Sequence, residues 1–204
     1  MYNLSNTENS TTKDGNYIHP GINDDIVLDS AKYGITSNGN KYIAIKLTKG
    51  TSVIESSQYE PKLFPNDTKT IEEKEEKQAA WFFQILSCFY PADVLKSFKC
   101  NTFEEFAKYV VLMLNSADKT KKMRAKFVYN GGYLKLPPYT YTFIESMSIP
   151  IGDSKIKILD HDKITKPEVD KEDDSYSGSS ETKFSETENK GEQKDETASD
   201  DMPF

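Results

Sequence analysis

Between Lys119 and Lys135 six basic side chains (Lys119, Lys121, Lys122, Arg124, Lys126 and Lys135) are interleaved with three rings, Phe127, Tyr129 and Tyr133. Cations neutralise phosphates and release counterions, and flat rings offer stacking surfaces to unpaired bases, worth about 1–3 kcal/mol per base. Sequence-blind binding of single strands needs both features together. A second group lies upstream, where Lys41 to Leu47 alternates at the period of a strand. If Ile43, Ile45 and Leu47 point into a core, Tyr42 and Lys46 point out, beside Lys32 or Tyr33 of the preceding strand. Tyr139 and Tyr141 share one side of a later run, and Arg124 and Lys126 share one side of theirs. The candidate nucleic-acid-binding residues are therefore Lys32, Tyr42, Lys46, Lys122, Arg124, Lys126, Tyr133, Lys135, Tyr139 and Tyr141. Phe127, Tyr129 and Phe143 read as core.

Catalysis finds less support. The chain has no GxxxxGK[ST] phosphate loop, no GxGxxG opening a helix, no HExxH and no GxSxG. His19 precedes Pro20-Gly21, which reads as a chain reversal. Asp160-His161-Asp162 are consecutive, so their side chains diverge, and the triplet reads as a solvated loop. Cys88 and Cys100 are too far apart for a CxxC pair, and with His19 and His161 they supply too few soft ligands for a metal site. They read as free thiols, buried or half-buried. No catalytic residue, metal or cofactor is expected, and the chain reads as a binding protein rather than an enzyme.

Two hundred and four residues leave room for one ordinary domain and extensions. Residues 1 to 16 are rich in Asn, Ser and Thr and predict a flexible arm. From about 164 a second polar tract begins, too poor in apolar side chains to offset the entropy of ordering, which predicts a disordered tail over 164–204. From Pro167 onward there are 13 acidic residues and four lysines, a formal −9, whereas the preceding 166 residues hold 22 basic and 20 acidic groups, a formal +2. A mildly basic body thus carries an acidic tail, an asymmetry that points to nucleic-acid or protein partners. The start lacks a basic-then-apolar leader, and no apolar run is long enough to cross a bilayer, so the expected location is the cytoplasm, with no membrane partner.

The folded part, 17–163, must position the candidate residues. Ile26 to Tyr33 reads as a strand, Ser37 to Asn40 ("SNGN") as a tight hairpin, and Lys41 to Leu47 as the next strand. Thr70-Ile71-Glu72-Glu73 and Thr102-Phe103-Glu104-Glu105 are capping boxes that open helices, the first halted by Pro91, with a short helix predicted around Val94 to Phe98. Strands return at Arg124 to Tyr129 and Tyr133 to Leu136 around Asn130-Gly131-Gly132, then at Tyr139 to Glu145, with Lys155 to Leu159 a last possible one. Five or six antiparallel strands with two or three helices inserted at about 70–117, between the third and fourth, predict a mainly β protein. Its expected architecture is a partly open barrel like the oligonucleotide-binding (OB) fold.

The chain ends Asp200-Asp201-Met202-Pro203-Phe204. Phe204 offers an apolar anchor and a terminal carboxylate, Pro203 limits the entropy lost on docking, and the aspartates suit a basic rim. With this tip and this barrel texture the sequence resembles the single-stranded DNA-binding proteins of bacteria and their phages. The resemblance covers the last five residues specifically and the strands of 17–160 in texture. The helical pair and an unfamiliar opening strand make it most like a divergent phage version. It implies an OB body that coats single-stranded DNA in the cytoplasm of a bacterium or phage host during replication, recombination or repair. It also implies a tip that recruits replication or repair proteins, and a possible homo-oligomer. The alternative from another class is an adaptor whose barrel and helices bind protein, with an acidic tail that serves solubility.

Overall fold

The structure, a computed structural model, describes residues 15–166. Nearly all of the expected arm, the acidic stretch from 167 and the terminal tip lie outside the described residues. The chain enters through buried Ile18 and a turn built on Asn23. The Asn23 side chain accepts from the His19 N–H at 3.0 Å and donates to the carbonyls of His19 and Gly21 at 2.7 and 3.0 Å. Of the chain reversal expected at His19-Pro20-Gly21 the structure has a bend at Pro20.

Strand β1 (Gly21–Ile35) then serves two partners: its first half pairs with β4 (Met123–Asn130) and its second with β2 (Lys41–Lys49). Irregularities between Asn23 and Ile26, where Asp25 takes a φ of 61°, and between Leu28 and Ser30 bend it. Bulges of this kind strengthen the twist and let one strand turn a corner. β2 pairs with β3 (Ser52–Tyr59) and β4 with β5 (Tyr133–Lys135), all antiparallel, in the order β3-β2-β1-β4-β5. The two ends of this order approach each other, because the Leu136 N–H donates to Ser56 Oγ at 3.0 Å. The result is the expected mainly β, OB-like barrel, with its helices inserted between the third and fourth strands.

Local signals translate directly. Ile43, Ile45 and Leu47 are fully buried. Ala44, on the opposite face, is also buried, a methyl flanked in register by the longer Tyr42, Lys46 and Lys32. The β4–β5 turn has two residues, Gly131 and Gly132, with φ of 58° and 79°, the pair of left-handed conformations that a type I′ hairpin requires. The β1–β2 connection is wider than expected. Ile35 pairs with Lys41, leaving a five-residue loop closed by the Gly39 N–H on the Thr36 carbonyl, with Gly39 alone left-handed at 75°.

Helix α1 (Ile71–Leu86) opens on the complete capping box of Thr70 and Glu73 and buries Trp81, Phe82, Ile85 and Leu86. After the short α2 (Ala92–Lys96), α3 (Phe103–Ser116) begins at Thr102, whose hydroxyl accepts from the Glu105 N–H at 3.2 Å. Here the glutamate reaches one residue further back, to the Asn101 N–H at 3.0 Å. Near the end of α3 the Asn115 amide bonds both backbone groups of Ala31 at 2.9 Å, on the edge of β1 that β4 has left. Barrel and helices share one apolar core, in which Trp81 stacks on Phe143 at 5.2 Å.

The strand expected over Tyr139–Glu145 is corrected. Only β6 (Ile144–Ser146) pairs, with Met123–Ala125 of β4. Pro137-Pro138 removes two backbone donors, and the chain leaves the sheet. α1 captures the departing backbone instead: Trp81 Nε1 donates to the Pro137 carbonyl at 2.8 Å. Gln84 donates to the Thr140 carbonyl at 2.7 Å and accepts from the Phe143 N–H at 3.2 Å. The possible strand at Lys155–Leu159 does not form either. A 3₁₀ turn at Ile151–Asp153 leads into irregular chain that inserts Ile156 into the protein.

Candidate nucleic-acid interface

The outer face of β1, β2 and β3 carries part of the expected set. The Tyr42 ring lies over Gly34 so closely that a Cβ there would come within 2.6 Å of it. Glycine at this position makes room for the ring. Across the strands Tyr42 meets Tyr59, 5.7 Å away and tilted by 45°, and Tyr59 is 54% exposed. Tyr59 was not among the expected residues; the signal that finds it is the β2–β3 register, which sets it directly opposite Tyr42. Lys32 and Lys46 are on this face too, but each meets a carboxylate, Lys32 with Glu55 at 3.2 Å and Lys46 with Asp29 at 3.3 Å. The Ser30 hydroxyl and Lys46 hold Asp29 below the usual carboxylate range.

A shallow groove separates β3 from β5. Val53 and Glu55 line one bank, Tyr133 and Lys135 the other. Tyr133 is 71% exposed, and the Lys135 ammonium sits 5.7 Å from its ring centroid. Rings therefore stand at both ends of β3, Tyr59 at its last residue and Tyr133 beside its first half. A strand of eight residues is about 25 Å long. That length accommodates several unstacked bases.

Arg124 and Lys126 require a correction. They do share one side of β4, but that side is roofed by the chain that follows β6. Arg124 donates to Asp24 at 2.6 Å and to Glu145 at 2.9 Å, and the side chains of Arg124 and Glu145 are nearly inaccessible. Lys126 donates to Asp162 at 2.7 Å and to the Lys157 carbonyl at 2.6 Å, with neither the lysine nor the aspartate side chain exposed. Tyr139 donates its hydroxyl to the same Asp162, and the Lys126 ammonium lies 5.0 Å from the Tyr139 ring. Neither cation is offered to solvent. Asp162 is likewise no solvated loop residue. Burial opposes its charge, yet hydrogen bonds from Lys126, Tyr139 and the Leu159 N–H hold it below the usual carboxylate range. Burial, aided by Asp162, drives the Tyr139 hydroxyl far above its ordinary value.

Lys122 stands apart, exposed and paired with Asp25 at 2.7 Å. Tyr141 is 65% exposed, edge-on to Tyr139 at 5.7 Å and beside the His161 ring at 6.4 Å. The expected ten residues thus divide into a ring-bearing face (Lys32, Tyr42, Lys46, Tyr133, Lys135), a largely buried cluster (Arg124, Lys126, Tyr139) and two outliers. The thiols are free, as read; burial pushes Cys88 up to about 12, with Glu145 adding to it. Among the described residues no group of His, Cys, Asp and Glu could hold a metal ion, and no helix is long and apolar enough to cross a membrane. No protein-family model, curated protein or solved structure matches the chain.

Proposed function

We propose that this chain is a single-stranded DNA-binding protein of the bacterial and phage type, most like a divergent phage version. It has no catalytic role; it coats unwound DNA in the cytoplasm of a bacterium or phage host during replication, recombination or repair. Asp200, Asp201, Met202, Pro203 and Phe204 recruit partner proteins. One observation carries the reading: Tyr42 and Tyr59 stand side by side on the outer β2–β3 face of an OB-like barrel, the face on which such barrels take oligonucleotides. Rings stack on any base, which suits binding without sequence preference.

The test is affinity for poly(dT) against a duplex of equal length across a salt series. A strong single-strand preference is expected, and the Tyr42→Ala/Tyr59→Ala variant should bind poly(dT) roughly 5- to 100-fold more weakly per stacked base lost. Equal affinity for the two forms of DNA, or indifference to the double substitution, overturns the reading. The adaptor alternative draws on an apolar cavity of about 460 Å³ between α1 and α3, lined by Phe83, Leu86, Leu95, Phe98 and Tyr109 among others. Complete absence of DNA binding selects it.

A further inference from the structure

A strand binder needs cations that are free to meet phosphates, and on the β1–β3 face the lysines are answered by Glu55 and Asp29. The region roofing β4 differs. Lys155, Lys157, Lys163 and Lys166 are all exposed, against exposed Asp153 and Asp160, and no carboxylate among the described residues forms an ion pair with any of the four lysines. Lys155 and Lys157 flank buried Ile156 and are themselves exposed. With Tyr141, Thr142, Ser154 and Leu159 they line a surface groove of about 380 Å³.

The groove is held in place by the buried cations. Lys126 grips the Lys157 carbonyl at 2.6 Å, and Glu145, itself fixed by Arg124, accepts from the Lys155 N–H at 3.2 Å. Tyr141 is steadied edge-on by Tyr139, whose hydroxyl is fixed by Asp162. Arg124 and Lys126 therefore do not meet phosphates; they anchor the backbone that presents Lys155 and Lys157. An exposed ring and two exposed lysines lining one groove over an anchored backbone are the parts of a nucleotide-sized polyanion contact.

We propose that Tyr141, Lys155 and Lys157 form a second contact for single-stranded DNA, the ring stacking on one base and the ammonium groups meeting adjacent phosphates. This rests on the single-strand reading above and divides its labour: the β2–β3 rings supply affinity that salt hardly touches, and this groove supplies much of the salt-sensitive part.

The experiment is fluorescence anisotropy of labelled oligo(dT) with the full-length chain, titrated from low to high salt, with thermal midpoints recorded for every variant. Lys155→Ala/Lys157→Ala should flatten the slope of log affinity against log salt by about 1.4, at ~0.7 per phosphate contact on a single strand. Tyr141→Ala should weaken binding roughly 5- to 100-fold with the slope retained. Lys108→Ala, an exposed helical lysine paired with Glu104, should change neither, and all midpoints should stay near that of the parent. If the parent binds oligo(dT) and both groove variants match it in slope and affinity, the second contact is refuted while the β2–β3 reading stands. If the parent does not bind oligo(dT), both fall together.

Discussion

At the scale of single residues, Lys126 shows how much a side chain's role depends on partners far away in sequence. Its counter-charge Asp162 lies 36 residues on, and Arg124 meets Asp24 from 100 residues back. A basic-aromatic run has the same composition whether it faces phosphates or an internal carboxylate, so Lys119 to Lys135 alone did not separate the two. What the period did show was that Arg124 and Lys126 share a side; what it lacked was the later segment that covers that side. Burying one ion without the other is costly, typically about 3–5 kcal/mol when one partner of a buried pair is removed. Asp162→Ala should therefore lower the unfolding free energy by roughly that much in urea titrations, whereas Lys126→Met/Asp162→Leu should cost distinctly less. The sign with pH follows from the lowered Asp162 carboxyl. Its contribution is complete above the ordinary carboxylate value of 3.8 and is lost as pH falls through the depressed folded value. Acid titration should consequently destabilise the parent more steeply than the double variant. Parallel acid profiles would show that the pair carries no such linkage.

At the scale of elements, what was legible was local. The Thr70–Glu73 box, the Thr102 cap, the Gly131-Gly132 turn and the alternation of Ile43, Ile45 and Leu47 each involve residues within a few positions of one another, and each formed. Tyr139 to Glu145 alternates just as well, yet only its end is a strand, because its backbone found partners on a helix more than fifty residues earlier. Tyr59 escaped notice for a related reason: without the β2–β3 register nothing in its own neighbourhood ties it to Tyr42. α1 therefore does more than fill the core. It substitutes for a sheet neighbour along 137–143, the stretch that sets Tyr139 and Tyr141. Trp81→Phe keeps the ring stacked near Phe143 but leaves the Pro137 carbonyl without its buried donor, a loss of about 1–3 kcal/mol. Hydrogen exchange should report faster opening confined to 137–143, with the β1–β2–β3 amides unchanged. Uniform acceleration across the barrel would instead mean that Trp81 acts through general core packing.

At the scale of the whole molecule, charge is sorted along the chain. The exposed lysines at 155, 157, 163 and 166 are followed at once by a stretch from 167 that holds 13 acidic residues and four lysines and ends in Met202-Pro203-Phe204. If the chain binds single strands as proposed, a −9 segment covalently joined to a +2 body is expected to compete with phosphates at an effective concentration that a free peptide never reaches. Removing residues 167–204 should therefore tighten oligo(dT) binding at low salt, by roughly 5- to 150-fold if the coupling is of the ordinary 1–3 kcal/mol size. The gap should close as salt rises, since the screening length falls from about 10 Å at 0.1 M to about 3 Å at 1 M. Equal affinities of full-length and truncated protein at low ionic strength would defeat the idea. Linkage would make such competition reciprocal: whatever the tail costs DNA, bound DNA would cost the tail. Occupancy of the barrel would then free Asp200 to Phe204 for partner proteins only where single-stranded DNA is present.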